Sequence, residues 1–215
     1  QAIAPASASD AAAPPPGRAQ VLTFAQMGAN YTIPLRGIDP ERTVNVGVRL
    51  DEVVTAARLK LVFTYSPSLV YPLSHLKIRI NDEVVATLPL DQEHAGQQIS
   101  REIDIDPRYF TDFNRINVQM IAHYTLDHCE DPYHSSLWAD ISPTSTLTLT
   151  KSTVTLPDNL ALLPAPFFDR RDNRRVTVPF VLPANADPVT LRAAGVVASW
   201  LGALASYREL RFPVT

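Results

Sequence analysis

Residues 76–90 read LKIRINDEVVATLPL, and this stretch decides the fold class. Apolar and basic side chains alternate over 76–80, which is the two-residue period of a half-buried strand. Asn81 and Asp82 follow, and both residue types tolerate the positive φ of a tight hairpin turn. Because residues 84–90 then form a second apolar run, the stretch predicts an antiparallel β-hairpin.

Further segments of the same kind lie on both sides of the hairpin. Leu59, Leu61 and Phe63, for example, share one face of an extended chain. Strands are predicted at 44–50, 57–65, 98–105, 116–124, 137–141 and 146–156, with one short helical candidate at about 107–112. Regularly spaced strands with so little helix indicate a two-sheet β-sandwich of the jelly-roll type, so we expect a mainly β protein.

The pattern changes after Pro157. Residues 160–175 are rich in proline and arginine, and the next segments are typical of a strand at 176–182, a helix at 188–207 with Asp187 as a possible N-cap, and a strand at 210–214. This order is typical of a doubly wound α/β domain, which needs more crossovers than the remaining residues supply. We therefore expect only the start of such a domain in this sequence.

The bulk composition excludes some partners. The chain has 215 residues and a formal net charge of -3, so it carries no overall basic field for nucleic acid or an anionic membrane surface. A single cysteine, Cys129, excludes an internal disulfide. Residues 1–18 are mostly Ala, Pro and Ser, and we expect a disordered lead-in of the kind that remains after export. No stretch approaches the roughly 20 apolar residues of a membrane span, so any anchor is expected outside this chain.

Three of the five histidines and the only cysteine lie within residues 123–134, HYTLDHCEDPYH. Zinc is one hypothesis, but the spacing matches no established ligand pattern. A Cys129 nucleophile with His123 or His134 as base is another, and it needs an oxyanion hole that the sequence does not reveal. A glycan hydrolase would need a carboxylate pair, for which four loop acids are candidates: Asp127, Glu130, Asp131 and Asp140. An ordered polar loop without metal or catalytic residues is the favoured interpretation.

Aromatic residues give a better indication of a binding function. Flat rings with polar rims suit the apolar faces of pyranose sugars, and neighbouring Asp and Asn side chains can bind hydroxyl groups. Burial in the core is the alternative for each ring, above all for a tryptophan inside a predicted strand. The residues predicted to bind carbohydrate lie in or beside turns: Tyr71, Tyr124, Tyr133 and Trp138.

Arginines cluster at residues 170–175, RRDNRR. The Arg171 to Arg175 spacing matches the R-x-x-x-R part of a cyclic-di-GMP-binding motif, but no D/N-x-S-x-x-G follows it. We favour a domain linker whose arginines pair with Asp169, Asp172 or a neighbouring domain. Residues 182–191 contain no phosphate-binding glycine loop, so no flavin or other cofactor is predicted.

Seven segments, in order and with plausible spacing, resemble BcsB, the periplasmic subunit of bacterial cellulose synthase. They cover nearly everything after Arg18. The segments are LTFAQMGANYTIPLRGI at 22–38, LDEVVTAARLKLVFTYSPSL at 50–69, HLKIRINDEVVATLPL at 75–90, DFNRINVQMIAHY at 112–124, HCEDPYHSSLWADIS at 128–142, LLPAPFFDRRDNRRVTVPFV at 162–181 and VVASWLGALASYR at 196–208.

The resemblance implies a jelly-roll, carbohydrate-binding-like domain followed by the incomplete start of a flavodoxin-like α/β domain. It also implies a non-catalytic protein that supports a BcsA-like membrane glycosyltransferase and guides nascent β-1,4-glucan (cellulose) through the periplasm. A C-terminal anchor, absent from this chain, would attach the full-length protein to the inner membrane, and the cyclic-di-GMP site would lie on the catalytic partner. The expected boundaries are 1–18 for the lead-in, 19–156 for the jelly roll, 157–175 for a linker and 176–215 for the α/β start.

Two other functions are weighed against glucan guidance. One is a purely structural scaffold that contacts other subunits of the synthase and never touches sugar. The other is the glycan hydrolase, which the absence of a convincing carboxylate pair disfavours. Exposure of the four aromatic rings together on one surface would favour glucan binding, whereas their separate burial would favour the scaffold.

Overall fold

The structure is a computed structural model that describes residues 17–127, 129–173, 175–205 and 210–215. The expected disordered lead-in lies outside the described residues up to position 16. Strands predominate, as the sequence predicts. They are β1 (Arg18–Thr23), β2 (Ile33–Arg36), β3 (Glu41–Gly47), β4 (Glu52–Tyr65), β5 (His75–Ile80), β6 (Glu83–Pro89), β7 (Ile99–Ile105), β8 (Phe113–Ile121), β9 (Trp138–Ile141), β10 (Thr146–Thr153), β11 (Val176–Thr177) and β12 (Leu210–Arg211), with one α-helix, α1 (Pro188–Ala205).

The predicted hairpin is present as β5 and β6. Asn81 and Asp82 form its two-residue turn with φ values of 50° and 73°, the positive φ that a primed hairpin turn requires. The Asn81 side chain then connects the turn to β8, because its Nδ2 donates to Asn114 Oδ1 at 2.9 Å and its Oδ1 accepts from Arg115 N at 2.9 Å. The turn is therefore fixed both by its own backbone preference and by the neighbouring strand.

Two antiparallel sheets form the jelly-roll sandwich. The first sheet has the order β1-β10-β4-β9-β2, and β7 pairs with the other edge of β4. The second sheet has the order β3-β8-β5-β6. Their facing sides form one apolar core, in which the buried residues alternate along each strand as the sequence pattern predicts, for example Leu59, Leu61, Phe63 and Tyr65 on β4.

Two strands were not predicted individually, and one helical candidate is only a single 3-10 turn. β1 and β2 together bury few side chains, among them Leu22 and Leu35, so neither shows a clear alternation. The candidate at 107–112 is a 3-10 turn over Pro107–Tyr109, capped by Asp106, whose side chain accepts from Arg108 N. Pro107 lacks an N–H and suits this first helical position.

Residues 166–173, here called the docked segment, lie against the ends of β3 and β4. Gly47 permits this approach, because a Cβ at that position would lie 1.9 Å from the backbone oxygen of Arg171. Buried Asp169 accepts from the Leu50 N–H at 2.7 Å, and Arg49 Nη1 donates to buried Asp172 at 3.1 Å. Arg171 pairs with Asp169 at 3.0 Å, as the sequence predicts, and with Asp112 at 2.7 Å.

The remaining described residues form a strand–helix–strand unit. β11 and β12 pair in parallel, and Leu201 and Ala205 of α1 pack against Phe168 and Val176 in a second apolar cluster. The Asp187 carboxylate caps the helix by accepting from Val189 N and Thr190 N, both at 2.8 Å. The last two positions of the predicted helix lie outside the described residues.

Helix α1 corrects one expectation from the sequence. At 18 residues and a mean hydropathy of 1.3, it is long and apolar enough to cross a membrane by length and composition alone. The expectation from the sequence rested on a span of about 20 apolar residues, and α1 is slightly shorter than that. Its place between two paired parallel strands is that of a crossover helix in an α/β domain.

Candidate functional site

A loop at one end of the sandwich holds the predicted aromatic cluster. This aromatic loop, residues 122–137, connects β8 to β9. Its first residues pack against residues 70–74, because Val70 N donates to His123 O at 2.7 Å and His123 N donates to Ser74 Oγ at 3.1 Å. Ser74 is buried, and its hydroxyl in turn donates to Val70 O at 2.9 Å. The start of the loop is thus fixed to a buried polar network.

Glu130 fixes the middle of the aromatic loop. One carboxylate oxygen lies 2.7 Å from His123 Nδ1, and the other accepts from Tyr124 N at 2.8 Å. Burial raises the pKa of Glu130, but the Tyr124 N–H and His123 outweigh that effect, so the net pKa lies below its usual value. Glu130 is therefore a charged anchor within the loop.

An aromatic stack closes the loop. The rings of Tyr124 and His134 lie 4.1 Å apart with 12° between their planes. The Tyr124 hydroxyl oxygen also accepts from Asp131 N at 3.1 Å. Gly37, with a φ of 103°, lies beneath this turn, where a Cβ would come within 2.9 Å of the Pro132 carbonyl oxygen. These contacts hold residues 123–124 and 130–134 of the loop together.

The four residues predicted to bind carbohydrate occupy different environments. Tyr133 is 87% exposed at the tip of the loop, where its N–H donates to Asp131 Oδ1 at 3.0 Å. Tyr124 is half-buried in the stack with His134. Tyr71 is also half-buried; its ring packs edge-on against Tyr65 at 6.4 Å, and its hydroxyl donates to Pro67 O at 2.8 Å.

Trp138 lies on the outer face of the first sheet, not in the core that its place in a strand favoured. Its neighbour Ala139 points inward and is fully buried. The guanidinium of Arg36 lies 5.9 Å from the tryptophan ring centroid and forms an ion pair with Asp140 at 2.8 Å. Trp138 is therefore a half-buried surface residue with a cation over its ring.

The structure brings some of these residues together. Tyr124 and Tyr133 share the aromatic loop, and Tyr71 belongs to the segment that hydrogen-bonds to its first residues. Trp138 begins the strand that follows the loop but faces the outside of the first sheet. Three contributors were missed in the sequence: Glu130 as an anchor, His134 as a ring partner and Arg36 over Trp138. The last pair is far apart in the chain, so only strand pairing of β2 with β9 could reveal it.

Other chemistry proposed for this region finds little geometric support. Within the described ranges, which leave out His128, no group of three His, Cys, Asp or Glu side chains could hold a metal ion. Cys129 is exposed, and the imidazole of His123 contacts Glu130. Three of the four candidate hydrolase carboxylates have other partners: Glu130 binds His123, Asp131 accepts from Tyr133 N and Asp140 pairs with Arg36. Asp127 is exposed.

Replacement of Glu130 by glutamine is expected to destabilise the aromatic loop. The amide keeps the shape but loses the charge that faces His123, so we expect the free energy of unfolding to fall by about 1–2 kcal/mol. Urea denaturation followed by tryptophan fluorescence measures this change. Asp127→Asn is the matched control, because it makes the same acid-to-amide change at an exposed position of the same loop. Equal stability of the two variants would show that Glu130 does not anchor the loop.

Comparisons with known proteins give a consistent result. A family model described as "Cellulose synthase BcsB, first CBM domain" matches residues 17–153, and another described as "Cellulose synthase BcsB, first FD domain" matches residues 159–215. A protein named "Cyclic di-GMP-binding protein" from Xanthomonas axonopodis pv. citri (strain 306) is 52% identical over 206 residues, which cover 95% of this chain and 26% of that protein. The chain thus spans about a quarter of that relative's length.

Two further similarities are more partial. "Putative cellulose synthase 2" from Komagataeibacter xylinus is 42% identical over 197 residues, which cover 91% of this chain and 13% of that protein. A family 35 carbohydrate-binding module from an environmental isolate has a TM-score of 0.34 and 11% sequence identity, covering 57% of this chain and 76% of that structure. A TM-score this low does not establish a shared fold.

Proposed function

The chain belongs to the BcsB family of cellulose synthase subunits, and from this premise we propose that it is the part of a non-catalytic periplasmic subunit that guides nascent β-1,4-glucan. The protein that contains it would support a BcsA-like membrane glycosyltransferase. Membrane attachment would come from a C-terminal anchor outside this sequence, and residues 176–215 would begin a flavodoxin-like domain. The jelly roll at 19–156 would carry the sugar contacts.

The exposed ring of Tyr133 is the observation that carries this proposal. The ring is 87% exposed although the loop that bears it is anchored by Glu130 and the Tyr124–His134 stack. An exposed aromatic ring on an ordered backbone loses little entropy when a sugar ring packs on it. Asp131 and Asp127 lie on the same loop and can accept hydrogen bonds from sugar hydroxyls.

The expected interaction is weak. Tyr124 already stacks on His134, and Tyr71 and Trp138 are half-buried. Tyr133 is therefore the main ring on which a sugar can stack. One stacking contact and a few exposed hydrogen bonds give low affinity. Weak contacts let a growing polymer slide past, whereas tight binding would stall its export. The proposal includes no catalytic step, and three of the four candidate carboxylates already contact His123, Arg36 and a backbone N–H.

The names of several relatives raise cyclic di-GMP as a second ligand. In this chain the first arginine of the partial motif, Arg171, is bound by two carboxylates, Asp112 and Asp169. Its guanidinium would have to leave both partners to bind a phosphate. We therefore propose that Arg171 and Arg175, the described R-x-x-x-R pair, are not a cyclic-di-GMP site.

A structural scaffold is the competing function, and exposed apolar side chains favour it. Leu160, Leu163 and Phe167 are exposed between the sandwich and the helix, and Val189 and Trp200 are exposed on α1. Such a surface is typical of contacts with other protein segments. The scaffold and the glucan guide differ in one measurable property, which is binding of a soluble cello-oligosaccharide.

Cellohexaose titrated into the ¹⁵N-labelled chain is expected to shift the amide signals of residues 131–134 in a saturable way. In Tyr133→Ala we expect the Kd to rise about threefold to tenfold, since one stacking contact is lost. Tyr31→Ala is the matched control, because Tyr31 is equally exposed, at 85%, and lies outside the aromatic loop. Two-dimensional amide NMR measures both variants.

Each outcome has a clear meaning. An unchanged Kd in Tyr133→Ala would show that the sugar does not stack on Tyr133 of the aromatic loop. No shifts at millimolar cellohexaose would favour the scaffold. Cyclic di-GMP serves as the parallel ligand, and shifts at Arg171 with this nucleotide would contradict our view of that segment.

A further inference from the structure

A cleft of about 610 Å³ opens where β8 begins, at the end of that strand opposite the aromatic loop. Its walls come from the second sheet, from the turn at residues 25–30 and from the docked segment. The docked segment holds its place because Gly47 admits the Arg171 backbone and because Asp169 binds Leu50 N. The cleft is therefore bounded by fixed elements on three sides.

Phe113 is the aromatic residue of this cleft. It is 66% exposed, although it is the first residue of a paired strand. Its partner across the strand pair is Gly47, which offers no side chain to pack on. Among the described residues no ring contact involves Phe113. The ring is thus available to an apolar surface from outside the chain.

Amide side chains line the same cleft as the Phe113 ring. Asn45 is exposed on β3, on the same face of the sheet as Phe113, and Asn173 and Asn30 line the other walls. An amide both donates and accepts hydrogen bonds, which matches the dual character of a hydroxyl group. A flat apolar ring beside several amides suits a pyranose, which has an apolar face and a rim of hydroxyls.

The charges around the cleft favour an uncharged ligand. Arg115 is paired with Asp82, and Arg171 is paired with Asp112 and Asp169. Guanidinium groups with carboxylate partners attract phosphate only weakly, because the local charge is already neutralised. Arg170 is exposed at the rim and can donate to hydroxyl groups.

We propose that this cleft is a second sugar-binding site, in which a pyranose of a neutral β-glucan stacks on Phe113 and bonds to Asn45 and Asn173. The ligand class rests on the proposed function, but the site is separate from the aromatic loop. Eight residue steps along β8, at about 3.3 Å each, separate Phe113 from Ile121 by about 26 Å. Both residues lie on the outer face of the second sheet.

Phe113→Ala tests the proposal in the same cellohexaose titration. Saturable shifts are expected at Asn45, Gly47 and residues 113–115, and the Kd for these signals should rise about threefold to tenfold in the variant. Trp200→Ala is the control, since Trp200 is an aromatic residue that is 47% exposed on α1, away from the cleft and from the docked segment. It should leave the Kd unchanged.

The two sites fail independently. Shifts confined to residues 131–134 and retained in Phe113→Ala would overturn the cleft while leaving the aromatic loop in place. Amide shifts at the cleft alone would support the cleft as a sugar-binding site and would show that the aromatic loop does not bind the sugar. Equal effects of Phe113→Ala and Trp200→Ala on the Kd, or shifts at the cleft with cyclic di-GMP but not with cellohexaose, would overturn the sugar site.

Discussion

Gly47→Ala is expected to displace the docked segment and to lower the free energy of unfolding by about 2–3 kcal/mol or more. The added Cβ would lie 1.9 Å from the Arg171 carbonyl oxygen, 2.6 Å from its carbonyl carbon and 2.8 Å from its Cα. These are backbone atoms, so no side-chain rotation relieves the clash. Urea denaturation measures the loss of stability, and the rate of tryptic cleavage after residues 170–175 measures displacement of the segment.

Gly195→Ala is the matched control for this variant. A Cβ on Gly195 meets nothing within 4 Å, and the residue lies inside α1, where alanine is favoured over glycine by roughly 0.5–1 kcal/mol. We expect unchanged or slightly higher stability and unchanged cleavage. If Gly47→Ala behaves like Gly195→Ala, residues 166–173 do not lie against β3 as described.

Asp169→Asn is expected to destabilise the same region by on the order of 2 kcal/mol. The buried carboxylate accepts from Leu50 N and Arg171 N and pairs with the Arg171 guanidinium. An amide of the same size keeps the packing but loses the charged hydrogen bonds. Asp158→Asn, at an exposed position in the preceding segment, is the control and should change stability little.

The pH dependence gives this prediction a second measurement. Burial raises the pKa of Asp169, but the two N–H groups and Arg171 outweigh burial, so its pKa lies below the usual value. The resulting stabilisation is present above the ordinary Asp pKa of about 3.9 and is lost as the pH falls through the lower folded value. Asp169→Asn should therefore lose less stability than the wild type below about pH 4. If the free energy of unfolding falls equally with decreasing pH in the wild type and in Asp169→Asn, the Asp169 carboxylate does not stabilise the docked segment.

Local patterns were sufficient to predict most of the sandwich. Strong alternation identifies β4, β5 and β8, and Asn81-Asp82 identifies the hairpin turn, because both signals depend only on neighbours in sequence. β1 and β2 escaped individual prediction because short edge strands bury too few side chains to show a period. Asp187 likewise marked the start of α1 correctly, since capping is a local interaction.

The candidate sites show where local patterns end. Tyr133 and Tyr124 could be chosen from the sequence because aromatic residues near acids and turns suit sugars. The sequence could not show that the two rings differ in exposure. In the folded chain Tyr124 stacks on His134, whereas Tyr133 is exposed. Phe113 was not singled out at all, because a phenylalanine at a strand end is usually buried. Its exposure depends on Gly47, which lies 66 residues earlier in the chain and pairs with it only in the folded sheet.

The amino-acid sequence was enough to predict the strand pattern, the hairpin, the change to a strand–helix–strand unit after Pro157 and, through seven matching segments, the family. These properties follow from periodicity, turn chemistry and residue identity, all of which are readable along one dimension. The exposure of each ring, the anchoring role of Glu130 and Asp169 and the position of residues 166–173 against the sandwich became visible only in the folded chain. Those properties depend on contacts between distant residues, such as Arg171 with Asp112 and Arg36 with Trp138, whose partners are chosen by sheet pairing and close packing.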